Sequence, residues 1–423
     1  MTILDILALL LALAALFGVI NHRFFGLPST IGLMVIALAF SGGVLLVDVL
    51  IPGLDLRVEM NRHLGNLDFS RTLLDGALCF LLFAGALHIN IDELLERRWA
   101  IGSLATVGLA LSTVIVGVLS RGVFTLIGIN VPWILCFLFG ALISPTDPVA
   151  VLGVLKSTKA QPSLKAKIAG ESLFNDGVAI VAFVMLTSMA GLGAHPVHGF
   201  FGVVVLFCQE ALGGILLGLV LGYVVYLAMK SIDHYQVELI LTLALVTGTI
   251  SIATALHTSG PIAVVVAGLL IGNRGRRLAM SDVTVERLEM FWTLIDDLLN
   301  ALLFLVLGLE LFAISLQPAF LTAGVLMVPA VLISRLVSVG LPISLLKAAR
   351  RTYAPGVIRI LTWCGLRGGI SVALVLSLDP RRSGSDLPVD RFNLILTCTY
   401  LVVLFSVIVQ GLTVRAVIRG TEE

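Results

Sequence analysis

Residues 170–181 read GESLFNDGVAIV, which places Glu171, Ser172, Asn175 and Asp176 inside an otherwise apolar stretch. A second string, SPTDPVAV at 144–151, sets Thr146 and Asp147 between Pro145 and Pro148, and a third, WCGLRGGIS at 363–371, sets Arg367 among three glycines. Carboxylates and hydroxyls are oxygen ligands for a hard cation, and each carboxylate can hold a proton instead. Two carboxylates in one partly hydrated site repel each other and lose solvation, which favours a proton on one of them near neutral pH. Such a site holds a cation or a proton, but holds both poorly. Arg367 keeps its charge and needs an anion in the same core, for which a carboxylate is the least costly choice. Three carboxylates against one Arg leave an excess of negative charge that suits a monovalent cation or exchangeable protons. At about 100° per residue, Ser172 and Asp176 share one helix face, while Glu171 and Asn175 share a neighbouring one.

These groups need elements that carry them through an apolar environment. The chain has 423 residues, 58% hydrophobic and only 13% charged, where a soluble domain carries about a quarter charged residues. It is an all-α polytopic membrane protein. A spanning helix takes roughly 20 apolar residues, and about thirteen such segments are expected, centred near 11, 40, 80, 110, 143, 178, 215, 246, 266, 303, 333, 366 and 404. The first lacks a basic leader and a cleavage site and reads as a retained helix. With the N-terminus outside, 17 of the 27 Lys and Arg fall in inside loops or the C-terminal tail, so the positive-inside rule places the C-terminus in the cytoplasm. The loop 379–391 runs against this trend with three Arg, which its three Asp neutralise. The net charge of +1 offers no field for nucleic acid. Five scattered cysteines have neither zinc nor disulfide spacing.

Prolines interrupt the fifth span and glycines the twelfth. With spans one to six and eight to thirteen taken as two inverted six-helix repeats, the interruptions correspond. Paired broken helices in opposed halves point to a transporter site at the midplane. Charges at membrane depth cost at least roughly 2.5 to 3.5 kcal/mol each and persist when paired, hydrated or functional.

The three strings in this order, together with FLLFAGALHINIDEL at 80–94, resemble the sodium/proton antiporters of the first cation:proton antiporter family, the NhaP-type and NHE-type exchangers. The resemblance runs over nearly the whole chain. It implies an NhaA-like antiporter fold with crossed interrupted helices, in which Asp147 and Asp176 bind Na+ or a proton. Ser172 and Thr146 would add oxygen ligands, Asn175 would brace the site, and Glu171 and Arg367 would form a structural ion pair joining spans six and twelve. The Asn-Asp pair implies electroneutral one-for-one exchange of Na+ or Li+ for H+. The resemblance further implies a homodimer in a cell membrane, here a bacterial inner membrane. A moving core near 100–191 and 319–416 would work against a scaffold near 2–90 and 198–316. No cofactor is expected beyond the transported ions, and no soluble regulatory domain. Some relatives carry an acid in the third span where this chain has Ala84.

Secondary candidates are Arg335, which could pair with Asp297 or Glu310, and Asp297 with Asn300, three apart on one helix face. Loop histidines His195 and His198 could titrate, and the lysines at 156, 159, 165 and 167 satisfy the inside rule. Exchange of K+ or Ca2+ on the same fold is the nearest alternative. A channel fits the carboxylates and buried Arg less well. An intramembrane hydrolase would need an HExxH or Ser-His-acid set that the sequence does not offer.

Overall fold

The computed structural model describes residues 3–51, 68–96, 98–148, 151, 162–193, 199–348 and 356–419; Lys156, Lys159, His195 and His198 lie outside them. Among the described residues every regular element is a helix. In hydrocarbon each backbone N–H and C=O must be satisfied within its own segment, which a helix achieves and an isolated strand does not.

The principal helices are α1 (Ile3–Ile20), α2 (Ser29–Leu50), α3 (Asp68–His88), α4 (Arg98–Leu126), α5 (Trp133–Ile143), α6 (Pro162–Met189), α7 (Phe201–Lys230), α8 (Tyr235–Leu256), α9 (Gly260–Leu270), α10 (Asp282–Leu309), α11 (Pro318–Ala348), α12 (Val357–Trp363), α13 (Gly369–Leu376) and α14 (Val389–Ile418). Among the described residues, eight helical stretches are long and apolar enough to cross a membrane, among them α1, α2, α4 and α14. Shorter helices α5, α12 and α13 flank the two interruptions, whereas α6, which carries Glu171 to Asp176, is one of the eight. Of the expected span centres, residue 366 falls in the break between α12 and α13, and residue 143 ends α5 where the backbone leaves the helix at Ser144.

Three apolar clusters organise the packing. One joins α4, α5, α6 and α11 to α14 around Phe124, Phe139, Met327 and Leu366. A second joins α3, α8, α9 and the first half of α10 around Phe83, Val264 and Trp292, and a third joins α1 and α2 to the second half of α10. Leu173 of α6 belongs to the second cluster, and Ile31 and Met34 of α2 belong to the first, so the clusters meet beside α6 and α10.

Lipid gives helices no hydrophobic reason to associate, and close backbone approach at small residues supplies the attraction. Gly214, Gly218 and Gly222 of α7 make such a stripe, lying against Ser259, Ala263 and Ala267. At Gly218 a Cβ would collide with the Ala263 carbonyl, so this crossing tolerates no larger residue. The outward faces of α1 and α7 expose Leu4, Leu16, Leu216 and Val220, as lipid-facing surfaces do.

Candidate functional site

Ser144–Pro148 and Cys364–Gly368 are the two non-helical interruptions, and they touch: the Asp147 backbone N–H donates to the Leu366 carbonyl at 2.8 Å. Pro145 and Pro148 cannot donate to a helical ladder, so the chain opens there. The second break is made by glycines. At Gly368 a Cβ would overlap the Asp147 carboxylate, at Gly365 it would overlap the Arg335 guanidinium, and at Gly369 the Leu303 side chain of α10. The glycine-rich string is therefore a surface shaped for three close neighbours.

Each break leaves helix ends with unsatisfied groups and partial charge. The C-terminal end of α5 is held by Arg367, whose guanidinium donates to the carbonyls of Ser144 and Pro145, the latter at 3.0 Å. Arg335 of α11 plays the same part for α12, donating to the Leu361 carbonyl at 3.2 Å. Asp147 lies against Gly368, the residue that caps the N-terminus of α13, where the helix dipole favours an anion. Cations thus sit at two C-terminal ends and a carboxylate at an N-terminal end.

The broken segments are also pinned from the side. The Arg367 backbone N–H donates to Ser406 Oγ at 2.8 Å, Ser406 Oγ donates to Gln410 Oε1 at 2.6 Å, and Gln410 Nε2 donates to the Trp363 carbonyl at 3.2 Å. Ser406–Gln410 is a widened π-type turn within α14, a local feature often found at functional sites. Ser144 joins Ser112 of α4 at 2.8 Å, and Ser334 of α11 reaches Ser112 at 3.3 Å.

Helix α6 passes the crossing with Glu171, Ser172, Asn175 and Asp176 all buried. The Thr146 and Ser172 hydroxyls hydrogen-bond at 3.1 Å, and Asn175 Nδ2 donates to Thr146 Oγ1 at 3.4 Å. Thr146 therefore bridges the two faces that helical geometry separates. Asp176 is 3% exposed, and its Oδ1, like Asn175 Oδ1, is buried without a hydrogen-bond donor. Asp147 is half-buried beside them. The structure thus gathers Thr146, Asp147, Ser172, Asn175 and Asp176 around the crossing. Oxygen acceptors held without donors are what a desolvated cation or a proton would satisfy.

Two expected pairings differ. Glu171 forms its ion pair with Arg335, at 2.6 Å, and not with Arg367. Arg367 is committed to the carbonyls at the end of α5, a partner that side-chain identities do not reveal. The carboxylate that meets Arg335 is thus Glu171. On α10, Asp297 is exposed whereas Asn300 is buried, and the Asn300 amide donates to Asp296 at 3.1 Å. Asp296, Ser406 and Gln410 join the site's surroundings beyond the residues expected from sequence. A serine and a glutamine four apart in an apolar run were a usable signal for the last two.

A family model described as sodium/hydrogen exchanger, transmembrane, matches residues 9–420. The chain is 47% identical to the Na(+)/H(+) antiporter NhaP of Pseudomonas aeruginosa, over 98% of this chain and 96% of that protein. It is 36% identical to the Na(+)/H(+) antiporter NhaH of Halobacillus dabanensis, over 83% of each. Among solved structures, the sodium proton antiporter MjNhaP1 from Methanocaldococcus jannaschii at pH 8 superposes with a TM-score of 0.76, covering 99% of this chain and 98% of that one. At 20% identity, that likeness is one of fold.

Proposed function

The chain belongs to the sodium/hydrogen exchanger family, and from that premise we propose that it is a secondary antiporter exchanging Na+ or Li+ for H+ at the crossing of its two broken helices. The observation that carries the reading is the set of buried oxygens around Asp147 and Asp176, with Asp176 Oδ1 lacking a donor. A cation and a proton compete for the same carboxylates, so occupancy by one displaces the other, and that competition is sufficient for coupling.

Asp147 and Asp176 bind the ion, and the Thr146 and Ser172 hydroxyls contribute further ligands. Asn175 positions Thr146. Glu171 stands apart from the ion because Arg335 neutralises it at 2.6 Å. With a neutral amide at 175, the helix brings a single carboxylate to the ion, which favours electroneutral one-for-one exchange. In this reading thirteen crossings place the N-terminus outside and the C-terminus in the cytoplasm of a cell membrane. The core of α4–α6 and α11–α14 moves against the remaining helices, and two copies pair through that scaffold.

The test is dye-reported ΔpH in everted vesicles on addition of Na+, Li+, K+ or Ca2+, with and without an ionophore that collapses the membrane potential. Dissipation of ΔpH by Na+ and Li+, with no slowing or acceleration when the potential is collapsed, is the expected result. A response to K+ or Ca2+ alone overturns the ion assignment, and dependence on the potential overturns electroneutrality.

A further inference from the structure

We propose that Asp296 and Asn300 of α10 form a cation-handling station on the cytoplasmic approach to the crossing, with Asn300 Oδ1 as a cation ligand and Asp296 as the charge that orients it. The inference rests on the exchange reading above. Its starting point is Leu303, whose side chain occupies the space that Gly369 leaves open, directly beyond the Gly368 against which Asp147 packs. Asn300 lies one turn before Leu303, about 4.5 Å along the axis, and Asp296 one turn earlier still on the same side of the helix. The chain enters α10 from the basic segment 273–287, so this stripe climbs from the cytoplasmic end toward the broken helices.

The geometry of Asn300 argues for a ligand. It is 2% exposed, and its Nδ2 donates to Asp296 Oδ1 at 3.1 Å. An ionised carboxylate only accepts, so the amide cannot turn over, and Oδ1 is fixed facing away from Asp296. That oxygen is buried and has no hydrogen-bond partner. A helix that merely packs here would be served by an apolar side chain of the same size, whereas a buried acceptor held without a donor is costly to keep.

Asp297, adjacent to Asp296 in sequence but exposed, provides an internal control of identical charge.

The experiment is a Na+ titration of exchange in everted vesicles, whose outward face is the cytoplasmic one, at matched protein levels. Asn300→Leu is expected to raise the half-saturating Na+ concentration about tenfold while changing the maximal rate less than about twofold. Asn300→Asp should retain near-native half-saturation, Asp296→Asn should raise it about threefold, and the Leu and Asn changes should combine to less than the product of their effects. Asp297→Asn should stay within about twofold of the parent. An unchanged half-saturation in Asn300→Leu, or a fall in maximal rate alone, overturns the station and leaves Asn300 a packing residue. Should Asn300→Leu fail to accumulate in the membrane, Asn300→Ala carries the same comparison. Absence of Na+-driven flux in the parent protein would refute the exchange reading itself, an outcome distinct from these.

Discussion

Between Ser144 and Pro148 two prolines withdraw backbone donors and open the chain, whereas Gly365 and Gly368 between α12 and α13, with Gly369 at the start of α13, leave room for what must come close. The proline break carries the carboxylate of Asp147, and the glycine break carries the guanidinium of Arg367. Each charge serves the other segment: Arg367 caps the end of α5, and Asp147 lies at the start of α13. The difference shows a division of labour in which one break presents the ion ligand and the other supplies the space and counter-charge that keep the crossing folded.

The strongest way to break this comparison is to remove the carboxylate beside it. Asp176→Asn should reduce Na+-driven proton flux at least about 100-fold, to vesicle background, because the amide neither releases a proton nor supplies a charge to the cation; retained exchange would show that the proton travels elsewhere. Next in size is the ion pair behind the crossing. Arg335→Ala strands Glu171 without a counter-ion and should cost about 3 to 5 kcal/mol of stability, measured as a lowered Tm in detergent, and adding Glu171→Gln should recover part of it. If Glu171→Gln rescues Arg367→Ala instead, the pairing described here is reversed.

Gly368→Ala tests the glycine break. A methyl group there meets the Asp147 carboxylate, and the displacement should lower exchange about tenfold to 100-fold with smaller loss of Tm than Arg335→Ala. The smallest effect is expected at Ser172→Ala, which removes one neutral ligand and should raise half-saturating Na+ about threefold to tenfold, roughly 1 kcal/mol. Its maximal rate should be little changed.

Much of this arrangement was readable from residue types alone. Long apolar stretches announced helices because lipid requires every backbone group to be satisfied within the protein; Pro145 and Pro148 marked one break because they lack a backbone donor, and the glycines around Arg367 marked the other because their conformational freedom weakens a helix. What escaped was pairing that only tertiary packing decides. Arg335 and Arg367 are both lone cations in apolar segments, and nothing local says which meets Glu171. The carbonyls that take Arg367 belong to the backbone at the end of α5, so no side chain advertised them. Asp296 and Asp297 are neighbours about 100° apart on one helix, and only the packing of α10 determines which of them meets Asn300.

The most direct test of a single site shared by cation and proton is the binding of radioactive Na+ to the purified protein as a function of pH. Competition predicts that lowering pH weakens Na+ binding, with Kd rising toward about tenfold per pH unit once the carboxylates begin to protonate; specific binding should vanish in Asp176→Asn. A Kd that stays constant as pH falls, or Na+ binding that survives in Asp176→Asn, would contradict the account.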